Sequence, residues 1–211
     1  MTPGSSGDPR LLVFLHVAAK QRAFQTELEA ALPGIVVTAV GRTGDFDRAL
    51  GEGQDAVLTL PVVLAAHGLA PILRGMRQGS ADEKYSLVGT QATPDPSKVA
   101  TVGALDLLGR DGMMGFVQSL VGAHPKVERV TKVEDLLPLL QMQRVEAILL
   151  ASRLLPEVTM ASRLNLSSRE LPATVGLPTV AKLAPAGAQV LSAIRRLPNG
   201  ITRAFGVEEW R

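Results

Sequence analysis

Residues 101–116 read TVGALDLLGRDGMMGF: a short apolar run, then Gly, Arg, Asp and Gly in succession, then apolar residues at helical spacing. Gly109 and Gly112 would let backbone come close to a bound molecule. Arg110 carries a charged fork suited to a carboxylate or phosphate. A helix starting near Gly112 would add unpaired N–H donors and the positive end of its dipole at the same point. Together these residues would capture an anionic or polar small molecule. A second reading stays open, in which the glycines make a turn, Asp111 caps the helix and Arg110 lies in solvent. Arg153, at the end of VEAILLAS, and Arg42, in GRTGD, pose the same choice. Thr43 or Asp45 suits the cap of the helix that follows better than a ligand contact.

Other chemistry finds less support. His16 sits within an apolar run and reads as an interior histidine, His67 follows an Ala-rich stretch, and His124 precedes a proline. No two histidines stand four apart and no acidic cluster accompanies them, so no metal is expected. With no cysteine in the chain, disulfides, thiolate zinc sites and thiol nucleophiles are excluded. There is no Gly-x-Ser-x-Gly elbow, Walker loop or dinucleotide fingerprint. Asp106 and Asp111 read as capping or solvated carboxylates rather than an acid/base pair. No cofactor and no catalytic residue is expected.

The composition narrows the partners. Five Phe, one Tyr and one Trp leave little for stacking bases, and a net charge of +2 does not make a phosphate-tracking surface, so nucleic acid is not expected. No window approaches the roughly 18 apolar residues of a membrane span, so direct membrane insertion is not expected either. The opening MTPGSSGDPR reads as a flexible arm without the pattern of a secretory signal.

The elements that position these residues come twice in the same order. LLVFLHV (11–17), a helix over 20–32, IVVTAV (35–40), a helix over 45–53 and DAVLTLP (55–61) spell β-α-β-α-β. VATVGAL (99–105), a helix over 112–122, KVERVT (126–131), a helix over 133–142 and VEAILLAS (145–152) spell it again. Thr131 and Glu134 stand at capping-box spacing at the start of the last helix. Alternating strands and helices require parallel pairing, so the fold class is α/β with two lobes, each a mainly parallel sheet flanked by helices. Lobe 1 is expected over 11–90 plus 183–211 and lobe 2 over 99–170, after an arm over 1–10. The Pro-bearing extended stretches 91–98 and 171–182 read as hinge crossings. Ligands of such sheets sit beyond the strands' carboxyl ends. The candidate contacts are therefore Ala18, Ala19, Arg42, Thr43, Leu60, Pro61, Gly109, Arg110, Asp111, Gly112, Ser152 and Arg153.

With this pattern, and with GEGQDAVLTLP (51–61), VATVGALDLLGRDGMMGF (99–116) and VEDLLPLLQMQRVEAILLAS (133–152) as its better local matches, the chain resembles the type II periplasmic solute-binding proteins. Within them it is similar to the group associated with phosphate, phosphite and phosphonate uptake. The resemblance covers about residues 11–200 and implies a non-enzymatic clamp for a small anionic solute, serving a membrane permease or a sensor in an ABC-type system. It implies a periplasmic location if a signal segment lies upstream or has been removed, and a cytoplasmic one otherwise. Two alternatives use a similar frame: a cytoplasmic dehydratase-like enzyme and the effector-sensing domain of a transcription regulator.

Overall fold

The computed structural model describes residues 7–16, 21–90 and 92–211. The chain opens with β1 (Arg10–Phe14), α1 (Gln21–Ala31), β2 (Val36–Val40), α2 (Thr43–Gly51), β3 (Ala56–Thr59), α3 (Pro61–Ala66) and β4 (Leu73–Met76). It continues through β5 (Asp82–Gly89), β6 (Thr101–Leu105), α4 (Gly109–Val121), β7 (Lys126–Val130), α5 (Leu136–Gln141), β8 (Ala147–Ala151), α6 (Leu155–Ala161) and β9 (Ser167–Gly176). It closes with β10 (Thr179–Lys182), α7 (Gly187–Ile194), α8 (Asn199–Ala204) and the two-residue β11 (Glu209–Trp210). Single 3-10 turns, Val133–Asp135 and Ser152–Leu154, lead into α5 and α6.

Two sheets result, one per lobe. The first has the order β11-β4-β10-β3-β1-β2 and the second β7-β6-β8-β5-β9. In each, three strands run parallel as the alternation of strands and helices demands: β2, β1 and β3 in the first, β7, β6 and β8 in the second. Antiparallel strands extend both, β10 beside β3 and β5 beside β8. β1 lies between two parallel neighbours, and its continuous apolar run, Leu11 to Phe14, is buried accordingly. Leu11 and Val13 face one apolar cluster with Phe24 and Leu28 of α1, while Leu12 and Phe14 face another. That second cluster holds Phe46, Val63 and Leu64 from lobe 1 together with Tyr85, Leu149 and Leu171 from lobe 2, so one core spans the lobe boundary.

The pairing moves the first crossing and narrows the second. Residues 91–98 and 171–182 read as hinges, yet β5 and β9 both belong to the second sheet, and β10 belongs to the first. The chain therefore changes sheets between Met76 and Asp82 and again between Gly176 and Thr179. A buried antiparallel strand and an extended connection look alike in sequence, and pairing alone separates them. The capping box also fails to form: the turn at 133 has Lys132 in the N-cap position and no side-chain cap bond. Pro138 falls in the first turn of α5, where a missing N–H leaves no helix bond unmade.

Gly187 opens α7 where it meets the loop before β3. A Cβ there would stand 2.2 Å from the Asp55 carbonyl oxygen and 2.8 Å from Lys182 Cγ. Gly187→Ala should displace α7 and lower stability by about 1–3 kcal/mol, read as a lower urea midpoint with an unchanged slope.

Candidate functional site

Where the carboxyl ends of β6 and β8 meet lobe 1, a narrow cavity of about 30 Å³ lies between the lobes. Leu15, Leu60 and Pro178 close it from the lobe 1 side and Ala104, Phe116 and Leu149 from the lobe 2 side. Four polar side chains reach this apolar chamber: His16, Glu83, Tyr85 and Arg153.

Each arrives there for a local reason. Glu83 and Tyr85 alternate on β5, so they share the face that β5 turns toward the lobe boundary. Tyr85 pairs in register with Ala151, the last residue of β8, which brings Arg153 in the following turn alongside Glu83. Arg153 Nε lies 3.2 Å from Glu83 Oε2, and Arg77, in the first crossing, donates from its guanidinium to Glu83 Oε1 at 3.1 Å. Glu83 is only 3 % exposed, so one buried carboxylate stands between two arginines. Arg153 also leans across to lobe 1, where a Cβ on Gly206 would lie 2.6 Å from its Cδ. Gly206 holds φ +75°, a conformation that itself favours glycine.

These polar atoms are incompletely satisfied. Glu83 Oε2 and Arg153 Nε touch as an ion pair without hydrogen-bond geometry, and both are shielded from solvent. His16 Nδ1 and Nε2 are also buried without a hydrogen-bond partner among the described residues. Burial, with a further contribution from Arg153 and against the pull of Asp106, lowers the His16 pKa from 6.5 to about 4. His16 is thus a neutral ring at physiological pH, offering one donor and one acceptor. Burial pushes the Tyr85 hydroxyl well above its ordinary range, so it too is neutral. Buried polar atoms are normally paired, and several orphans around one cavity mark a place built to receive a polar group.

The candidate residues separate into those near the cavity and those away from it. Leu60 and Arg153 line it, and Ser152 stands behind it with its hydroxyl 2.8 Å from that of Ser86. Pro61 packs at the boundary, where a Cβ on Gly176 would lie 2.6 Å from its Cγ. Arg42 is exposed in the N-cap position of α2 and Thr43 begins that helix. Ala18 and Ala19 lie outside the described residues. The GRDG stretch forms the first turn of α4, which starts at Gly109 rather than near Gly112, and Arg110, Asp111 and Gly112 are all exposed. The capping there belongs to Asp106, whose Oδ1 accepts the Gly109 N–H at 2.8 Å while Oδ2 accepts from Arg129 at 2.6 Å.

Glu83, Tyr85 and Arg77 were not among the sequence candidates, and His16 was set aside as interior. The available signal was the alternation Glu83, Tyr85, Leu87, which marks one face of a strand. A wider recess of about 400 Å³ adjoins the cavity, sharing Leu15 and His16 and bounded by Gln21 of α1, Gly41 and the 131–134 turn of lobe 2. A larger recess of about 500 Å³ opens at the other ends of the lobe 2 strands, beside Lys98 and Glu146. None of the orphaned buried atoms named above faces it. Among the described residues no cluster of three or more His, Asp or Glu could hold a metal, and no helix is long and apolar enough to cross a membrane.

No family model matches the sequence, and no curated protein matches it either. Solved structures do. The chain is similar to XAC2383 from Xanthomonas citri bound to chloride ion, at 12% identity and TM-score 0.64, over 97% of this chain and 91% of that one. It is similar to the GluR0 ligand-binding core in complex with L-glutamate, at 14% identity and TM-score 0.60, over 96% and 98% of the two chains. It is also similar to arginine-bound ArgBP from T. maritima, at 16% identity and TM-score 0.57, over 92% and 94%. The fold is the two-lobed one of type II periplasmic binding proteins, often called a Venus flytrap.

Proposed function

We propose that this chain binds a small, anionic solute between its lobes without transforming it, as the solute-binding component of an ABC-type transport or sensing system. The observation that carries the reading is the inter-lobe cavity with its orphaned polar atoms on His16, Glu83 and Arg153. Two arginines against one carboxylate leave an excess of one positive charge at the cavity, which favours an anion. The neighbouring structures add support, since their ligands include glutamate, arginine and chloride.

The cavity offers only about 30 Å³ but adjoins the inter-lobe recess of about 400 Å³, and in this reading the solute enters as the lobes part. The solute would bind between the parted lobes and favour their closure by the contacts that only the closed form completes. Arg153 and Leu60 face the solute in this reading, Ser152 supports Arg153 from behind, and Arg42, Thr43 and Pro61 stand at the rim.

The test is thermal unfolding across a panel of phosphate, phosphonates, sulfate, small carboxylates and neutral solutes, with Arg153→Ala and Arg110→Ala alongside. A solute at about one hundred times its dissociation constant stabilises the native state by roughly 2.7 kcal/mol. The expected result is a shift with one class of anion that Arg153→Ala abolishes and Arg110→Ala leaves intact. The reverse pattern would move the anion site to the start of α4, and a panel with no shift at all would count against solute binding.

A further inference from the structure

We infer that the C-terminal strand β11 is a strap across the first crossing, and that it holds the two lobes together. This goes beyond the solute-binding reading and requires only that the lobes can part. The crossing is built on a two-residue turn: Arg77 and Ser80 exchange backbone hydrogen bonds at 2.8 and 3.0 Å around Gln78 and Gly79. Both central residues have positive φ, +50° and +78°. Glycine takes that conformation freely, whereas a glutamine holds it only where its surroundings impose it.

What imposes it on Gln78 is the end of the chain. Glu208 Oε2 accepts the Gln78 N–H at 2.8 Å, and the Glu208 N–H donates to the Met76 carbonyl at 2.8 Å, so one residue grips the turn at two points. Arg211 and Arg74 exchange backbone bonds at 2.9 and 2.7 Å, and Val207 occupies the space that a Cβ on Gly75 would need. The second crossing is stitched to the same place, with Gly75 donating to the Pro178 carbonyl at 2.8 Å and Leu177 to that of Ala81 at 2.6 Å.

The turn reaches lobe 2 through Arg77, which donates to Glu83; Glu83 pairs with Arg153, and the Arg153 stem lies against Gly206, two residues before Glu208. The contacts form a closed circuit from Glu208 through Gln78, Arg77, Glu83 and Arg153 back to Gly206. Lobe 2 cannot swing away from lobe 1 without lifting Arg153 from Gly206 or disturbing the turn that β11 grips. Coupling of this kind is reciprocal, so releasing β11 loosens the lobes just as parting the lobes loosens β11.

The chain has no cysteine, so one spin label can be placed on each lobe, through Glu27→Cys on α1 and Met114→Cys on α4, both exposed positions. Pulsed dipolar spectroscopy then measures the distance between them in the full chain and in a chain ended after Val207, which lacks Glu208 and all of β11. The full chain should give one narrow distance, and the shortened chain a longer and broader distribution. Should the shortened chain fail to fold, Glu208→Ala in the full chain is read in the same way and should shift the distribution in the same direction. An unchanged distribution would overturn the inference. A broad distribution in the full chain would overturn it as well, since nothing would then be held. Neither result bears on the solute reading, which the thermal panel tests separately.

Discussion

Glu83→Ala lowers folding stability by about 3–5 kcal/mol, because it leaves the cationic side chains of Arg77 and Arg153 facing each other across an emptied, largely buried space. The carboxylate is 3 % exposed, so the two arginines would lose a counter-charge that sits almost wholly out of solvent. Glu83→Gln, which keeps the shape and an acceptor for Arg77, should cost clearly less. The contrast lies on the surface of α2, where Asp45 and Arg48 pair at 2.7 Å with most of the arginine in solvent. Asp45→Ala there should change stability by less than about 1 kcal/mol. Urea denaturation of the three variants separates the cases. A loss below about 1 kcal/mol for Glu83→Ala would mean that the arginines swing out to water and that the ion pairs do not organise the boundary.

The second large effect is on acid stability. In the unfolded chain His16 protonates near pH 6.5, whereas in the folded chain it does so near pH 4. Between these values the unfolded state holds a proton that the folded state refuses, so stability falls as pH drops from about 6.5 to about 4. Above 6.5 the contribution is complete, and below 4 it falls no further. A shift of that size corresponds to about 3 kcal/mol. The cause is burial of both ring nitrogens at the cavity, reinforced by Arg153 and offset in part by Asp106. Urea midpoints measured from pH 4 to pH 7.5 should show this slope, and His16→Leu should flatten it. A variant with the slope of the parent would assign the acid sensitivity to other groups.

Periodicity carried the sequence reading where a strand or helix lies under one uniform environment. The 3.6-residue spacing of α1 places it within a residue of where it folds, and the apolar run at 11–17 starts within a residue of β1 but runs three residues past its end at Phe14. The crossing read at 91–98 lies elsewhere, and the one read at 171–182 is confined to the step from Gly176 to Thr179, because β5 and β9 carry charged or Pro residues in extended stretches, as linkers do. The site shows the same division. Arg153 could be found from the rule that ligands gather after parallel strands. Glu83 sits in Asp82-Glu83-Lys84, which in sequence is a solvated charge run, and only the placement of β5 between β8 and β9 turns its middle residue inward. At Gly109 the carboxylate that serves the helix start is Asp106, three residues upstream, because the turn folds back on itself.

The position of β10 has a consequence for how the chain comes together. β10 lies between β3 and β4, so the first sheet lacks an interior strand until residues 179–182 have been made. The second sheet draws all five of its strands from one uninterrupted stretch, 82–176. As the chain leaves the ribosome, lobe 2 can therefore complete its pairing while lobe 1 still waits, holding β1, β2 and β3 with one open flank. The lobe that starts first finishes last, and its sheet is joined only when β10 pairs with β3 and β4.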